Sequence, residues 1–290
     1  MMTKYSMIKI TETPRDGMQG ITQFIPTKNK IEYINALLQC GFDTIETGSF
    51  VSPRAIPQMA DTGEVLKNLK DKPASTKIAV LVANEKGGIL AKDYDIVDEI
   101  FYPFSFSPTF LKKNLNTTLE KGEKTIDFLQ NLCTESGKEL VVYLSLAFGN
   151  PYNDHWSIDL VSEWIHKLMQ KGIYRIQLAE TIGDVEADVI QQVCAAVVIA
   201  FPKVEFGFHT HALPDKGTEK VNAAFTAGIR HFDTVLGGLG GCPMTGHEMV
   251  PNLDLTELLN FCHDKGLNCK VDEKKLNRAK QKLSKIIFQS

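Results

Sequence analysis

Arg15-Asp16 and His209-Thr-His211 stand almost two hundred residues apart, each where an apolar run stops. Together they offer one cation, one carboxylate and two imidazoles. On an extended strand His209 and His211 share a face, with Cα atoms about 7 Å apart, so two imidazoles can converge on one ion. Asp16 is a hard oxygen donor for the same ion, unless it serves only the Asp-Gly turn that its sequence also favours. Arg15 is a fixed cation that can grip a carboxylate or stabilise a developing enolate; a salt bridge to Glu46 or Glu180 is its alternative. Glu46 could orient Arg15 or a bound cation, or form a plain ion pair. Gly237-Gly-Leu-Gly-Gly-Cys242-Pro puts a thiol on a glycine-rich loop. A thiol of pKa about 8.5 can donate a proton near neutrality when such a loop closes. His247 and Asn252 follow within reach. This set suits a divalent cation polarising an oxygenated substrate: octahedral Mg²⁺ or Mn²⁺ fits a lyase, and Zn²⁺ fits too.

These groups need elements to bring them together. Apolar, β-branched runs at 7–12, 44–47, 77–82, 96–101, 139–147, 175–179, 205–211 and 231–236 read as eight strands. Helical patterns at 29–40, 62–70, 115–136, 156–171, 187–201, 216–227 and 255–265 follow most of them. Asp184 and the Asp254-Leu-Thr-Glu257 box are expected to cap helices, and Gly41, Gly172 and Gly228 to end them. Eight alternations predict an α/β fold, a (β/α)8 TIM barrel in one catalytic domain over residues 1–290. The tail, 271–290, is expected to form a helical extension on the outside. A doubly wound sheet is the alternative, but Gly-x-Gly-x-x-Gly is missing after the first strand.

In a barrel the active site lies at the C-terminal strand ends. Those ends carry Arg15-Asp16, Glu46, Ser105 and Ser107, Asn150, Glu180-Thr181, His209 with His211, and the Cys242 loop. Polar groups are thus expected at one rim. His155, His166, His231 and His263 have no comparable setting.

Composition narrows the partners. The chain has 290 residues, 43% hydrophobic and 23% charged, with net charge −3. That is ordinary globular composition, and no basic block favours nucleic acid. No apolar run nears the roughly 20 residues that span a bilayer. A soluble, cytoplasmic protein is expected. The six cysteines form no Cys-x-x-Cys pair, so a four-cysteine zinc site is not expected. Cys133 and Cys194 lie in helical patterns and read as core thiols.

Four stretches resemble the 3-hydroxy-3-methylglutaryl-CoA lyase family of the DRE-TIM metallolyase superfamily. They are Glu12-Thr-Pro-Arg-Asp-Gly-Met-Gln19, Ile45-Glu-Thr-Gly-Ser-Phe-Val-Ser-Pro53 with Pro57-Gln-Met59, His209-Thr-His211, and Gly238-Leu-Gly-Gly-Cys-Pro243. The resemblance implies the barrel and a divalent cation on Asp16, His209, His211 and Asn252. It also implies catalysis by Arg15 and Cys242, with cleavage of the acyl-CoA substrate to acetoacetate and acetyl-CoA; Asp16, Glu46 and His209 join them as catalytic candidates on their own chemistry. A homodimer is expected on the same ground. The rim departs from the family. The family's Asn-Glu-Lys, whose lysine helps hold CoA phosphate, is Gly20-Ile-Thr22 here. Its Asp-Thr-Ile-Gly is Glu180-Thr-Ile-Gly183, and its Asp-Thr-Tyr-Gly is Ala212-Leu-Pro-Asp215. A related aldolase or lyase acting on a different 3-hydroxy acid is therefore the alternative reading. A ligand-binding barrel without catalysis would not need all of Arg15, Asp16, His209, His211 and Cys242.

Overall fold

The computed structural model describes residues 7–213, 216–241 and 250–288. Eight parallel strands close on themselves: β1 (Met7–Glu12), β2 (Thr44–Ser49), β3 (Lys77–Leu81), β4 (Glu99–Phe104), β5 (Glu139–Ser145), β6 (Arg175–Glu180), β7 (Glu205–Thr210) and β8 (His231–Thr234). Both β2 and β8 pair with β1, which shuts the barrel. Around it run α1 (Pro14–Gln19), α2 (Thr27–Leu38), α3 (Thr62–Lys67), α4 (Glu85–Lys92) and α5 (Pro108–Phe110). The last leads into a π-helical turn, Leu111–Leu115. The ring continues with α6 (Leu119–Ser136), α7 (Ile158–Gln170), α8 (Ala187–Ala200), α9 (Gly217–Thr226) and α10 (Leu255–Asp264). A two-residue strand, β9 (Asn268–Cys269), joins the start of β1 before α11 (Glu273–Phe288). As the tail's pattern implies, α11 lies outside the barrel against α2, burying Leu276, Ala279, Leu283 and Ile286. Lys282 and Glu32 add an ion pair at 2.5 Å.

Alternation along the strands sorts the side chains into two bodies. Ile78, Val80, Ile100, Tyr102, Leu140, Val142 and Leu144 point outward into the main core beneath the helices. Ala79, Phe101, Val141 and Tyr143 point inward and form a small separate cluster inside the barrel. Much of the rest of the interior is polar, with Thr11, Glu46, Glu99, Gln177, His231 and Asp233 buried there. At the N-terminal mouth the Glu99 carboxylate meets Lys77 at 2.8 Å and Arg175 at 3.3 Å, and His231 bonds Thr11 Oγ1 at 2.7 Å.

Some expected boundaries move. β4 lies three residues later than its apolar run predicts, because Pro103 hides its second half. Residues 85–92 form a helix that Gly87 and Gly88 conceal by lowering helix propensity; Asn84 caps it through Gly87 N at 3.0 Å. The cap of α8 falls at Glu186, without a side-chain bond, and not at Asp184. Asp254 does cap α10, through Thr256 N at 2.8 Å. Gly41, Gly172 and Gly228 follow their helices with positive φ. Cys133 and Cys194 are buried.

Glu12 faces outward from β1 and is fully buried. It accepts hydrogen bonds from Thr234 Oγ1 at 2.9 Å and Leu236 N at 2.7 Å. Among the described residues no cation pairs with it. Burial outweighs both bonds and pushes its carboxyl from 4.5 up to about 8. The native state thus holds a proton that the unfolded chain releases above its ordinary value. The Glu12 contribution is fully present below about pH 4.5 and lost as pH rises through about 8. Glutamine imitates the protonated acid. Glu12→Gln should raise the Tm at pH 9 by at least about 2–4 °C, the shift 1 kcal/mol gives in a large domain, and by less at pH 5. Equal shifts in thermal scans at the two pH values would refute a buried neutral carboxyl.

Candidate active site

Arg15 and Asp16 do not sit in the turn that Asp-Gly suggests. Pro14 opens α1, where its missing N–H costs nothing and its φ suits a helix. The helix sets Gln19 one turn after Arg15. Gln19 Oε1 then accepts from Arg15 Nη1 at 2.8 Å, while Gln19 Nε2 donates to Asp16 Oδ1 at 2.6 Å. From β2, Glu46 takes the other edge of the guanidinium: Nε to Oε1 and Nη2 to Oε2, both at 2.9 Å. Such a fork is the strong, directional form of an ion pair. Register slips between Glu46 and Gly48, a bulge at the residue that aims into the barrel. The pair is Arg15–Glu46; Glu180 is elsewhere. Burial pushes the Glu46 carboxyl up to about 7 against the pull of Arg15. Burial also works against the Asp16 carboxylate, but Arg15, His209 and His211 hold it below the ordinary range.

The two histidines converge as their spacing requires. Their ring centroids are 5.1 Å apart, edge to face. His209 Nε2 lies 4.0 Å from Asp16 Oδ2, while its Nδ1 lies 3.2 Å from Asp233 Oδ2. Burial lowers the affinity of His209 for a proton, but Asp233 outweighs it and the net shift is upward. Burial and the neighbouring His209 push His211 down to about 4, so its ring is neutral at pH 7. His211 pairs with Asn252 in an isolated antiparallel bridge, which brings the amide to the same rim.

Among the described residues no three His, Cys, Asp and Glu groups close into a coordination shell by themselves. The fourth donor is an amide, and the unpaired atoms decide whether a cation fits. His211 Nδ1 and Asn252 Oδ1 are both buried without a hydrogen-bond partner. Native proteins seldom leave such atoms bare. Both are lone-pair donors, one on a neutral ring, beside an ionised carboxylate. The residues fit a divalent cation. The glycine loop presses on them from above: a Cβ on Gly240, at φ +84°, would lie 2.5 Å from Asp16 O and 3.0 Å from Asn252 Nδ2.

Sequence reading missed the carboxylate behind His209. Asp233, inward on β8, accepts from Tyr143 Oη at 2.8 Å, from Gln177 Nε2 at 2.5 Å and from the His209 ring. It holds His209 with Nδ1 protonated and Nε2 free, an orienting contact typical of ligand histidines. Alternation of His231 and Asp233 on one face of β8 was the available signal.

The cavity before these groups holds about 280 Å³. Arg15, Asp16, Gln19, Glu46, His209 and His211 line one side. Leu81, Ala83, Pro103, Phe110 and Leu115 form an apolar wall, with Ser145 and Thr181 between. Asn114 borders it from the π turn, its Oδ1 buried and unpaired. The expected rim is only partly realised. Ser105 is spent on Ser145 O at 2.9 Å, and Ser107 caps α5 and bonds Asp154. Asn150 turns back to Tyr152 N at 2.8 Å, and Glu180 points behind the cavity to Lys220. Local capping and ion pairing claimed these side chains. Cys242 and His247 lie outside the described residues. Among the described residues no helix is long and apolar enough to cross a membrane.

Known proteins share this framework. The HMGL-like family model matches residues 7–283. The mitochondrial hydroxymethylglutaryl-CoA lyase of Homo sapiens is 31% identical over 280 residues, covering 96% of this chain and 85% of that protein. An HMG-CoA lyase from Bacillus subtilis superposes with a TM-score of 0.90 at 28% identity, covering 99% of both chains. One from Acinetobacter baumannii, in complex with coenzyme A and 3-methylmalate, gives 0.89 at 28% identity, over 97% of this chain and 92% of that one. With the barrel, the ordered motifs and a family match over nearly the whole length, this chain belongs to the HMGL-like family of the DRE-TIM superfamily.

Proposed function

We propose that this lyase cleaves 3-hydroxy-3-methylglutaryl-CoA to acetoacetate and acetyl-CoA, using Mg²⁺ or Mn²⁺, with Zn²⁺ as a third candidate. Asp16, His209, His211 and Asn252 would hold the cation. One observation carries the reading: a buried guanidinium, Arg15, shares a cavity with Asp16, His209 and His211.

Breaking the carbon–carbon bond removes the proton of the tertiary 3-hydroxyl and leaves charge on the thioester oxygen of the departing enolate. A bound divalent cation supplies Lewis acidity, lowering the pKa of an oxygen ligand by several units. Arg15 faces the enolate oxygen, and Glu46 and Gln19 keep the guanidinium from swinging away. A preset cation costs no reorganisation when the charge forms. His209 would help hold the cation or would take the hydroxyl proton, and in the second role Asp233, 3.2 Å from its Nδ1, would stabilise the cationic ring. Cys242, next to Gly241 in the sequence, returns a proton to the enolate carbon. Lys112 and Lys113 are exposed on the turn whose Asn114 and Leu115 border the cavity. They suit the phosphates of coenzyme A, and the Asn114 Oδ1 suits a pantetheine amide. The A. baumannii relative, in complex with coenzyme A and 3-methylmalate, supports an acyl-CoA substrate.

A second reading is a related metal-dependent lyase on another 3-hydroxy acid. Gly20 favours it: it borders the cavity, and nothing lies within 4 Å of the place of its Cβ. Gly20 thus leaves the cavity edge open at the first position of the family's lysine segment. Acetoacetate release from 3-hydroxy-3-methylglutaryl-CoA, with Mg²⁺ or Mn²⁺ and with chelator, separates the two. Metal-dependent release is expected. No release from protein that binds the cation would shift the assignment to the second reading.

A further inference from the structure

Behind the cavity lies a second constellation. Lys220 of α9 has a side chain 6% exposed, and the Glu180 carboxylate it meets is 0% exposed. An ammonium has three N–H donors. Lys220 uses them on Glu180 Oε2 at 2.7 Å, Gly183 O at 2.8 Å and His211 O at 3.0 Å. Glu180 is as fully engaged. It accepts from Ile182 N at 3.1 Å, Gly183 N at 2.7 Å and Thr210 Oγ1 at 3.2 Å. The end of β6, the turn after it, the end of β7 and α9 therefore meet at one ion pair.

The segment carrying Asn252 is laid on this knot. His211 N donates to Glu180 O at 3.2 Å, Ala212 N to Pro251 O at 2.9 Å, and Leu253 N to Thr210 O at 3.2 Å. Gly183 has φ +92°, and a Cβ there would lie 2.5 Å from Val250. A side chain on Gly183 would push the segment off. A buried ion pair contributes little net stability, since apolar residues of equal size often serve as well. What this pair does supply is conformation, through two carbonyls, one of them on His211 itself.

We infer that Lys220 is a positioning residue, and that the Glu180–Lys220 pair sets the backbone of His211, and through it Asn252, at the spacing a divalent cation requires. The inference rests on the metal reading above. Lys220→Met alone would leave Glu180 as a buried unpaired charge and mix folding with positioning. Glu180→Gln/Lys220→Met removes both charges and separates them. Mn²⁺ titration calorimetry on native and double-variant protein, with circular dichroism of the metal-free forms, is the test. The double variant should keep the native spectrum and bind Mn²⁺ about 10–100-fold more weakly, as when other supporting partners of metal ligands are removed. Unchanged affinity would overturn the inference. So would a double variant that fails to fold, which would show that the knot holds the barrel and not the site. Native protein that takes up no Mn²⁺ would instead overturn the metal reading beneath it.

Discussion

Arg15→Gln should lower turnover of 3-hydroxy-3-methylglutaryl-CoA by at least about 10²–10³-fold, the usual cost of one preset donor to a developing oxyanion. It should do so without unfolding the protein. The guanidinium is buried and held on three sides by Glu46, Gln19 and Asp16. Its loss would ordinarily strand a buried carboxylate. Here burial already pushes Glu46 up to about 7 with Arg15 in place. Without Arg15 the shift grows, and Glu46 takes a proton and stays buried as a neutral acid. The readout is the division between kcat and KM. A loss mainly in kcat places Arg15 against the transition state; a rise in KM alone would make it a substrate-binding residue and refute its role in charge stabilisation.

The second large effect is expected at His211. Its ring is neutral, its Nδ1 is buried and unpaired, and its backbone is pinned by Lys220 and Asn252. His211→Ala should abolish cation binding and activity together, with the barrel intact. A cation that binds only the folded protein stabilises it by about 2.7 kcal/mol at 100 times its Kd. In a large domain that is on the order of 5–10 °C of Tm. Native protein should show this rise with Mn²⁺, and the variant should show none. Activity that survives with the Tm rise abolished would detach the cation from the chemistry. A Tm rise that persists would remove His211 from the ligand set.

The pieces visible in the chain were those whose information is local. Eight apolar runs with helices between them need only periodicity, and they specify the barrel. His209 and His211 need only a two-residue spacing on a strand. Arg15-Asp16 and Glu46 were visible as charges where apolar runs stop. Pro14 and Gln19, in contrast, belong to a helix that an Asp-Gly pair argues against, and α4 is hidden by its two glycines.

Tertiary structure decided which rim residues face the cavity. Ser105, Ser107 and Glu180 have the chemistry and the position in the chain, yet each is spent on a nearer partner. Asp233 acquires its role because β5, β6 and β7 bring Tyr143, Gln177 and His209 to it across the barrel interior. Lys220 reads as one more helical lysine until β6 and β7 place a carboxylate and two carbonyls at its tip. A hydrogen bond fixes direction and distance to a few tenths of an ångström, and its partners lie tens to hundreds of residues apart. The sequence by itself therefore determined the scaffold and the candidate site residues, because those follow from side-chain type and short-range period. Their mutual orientation was left to the closed barrel, because only closure sets the distances between strands.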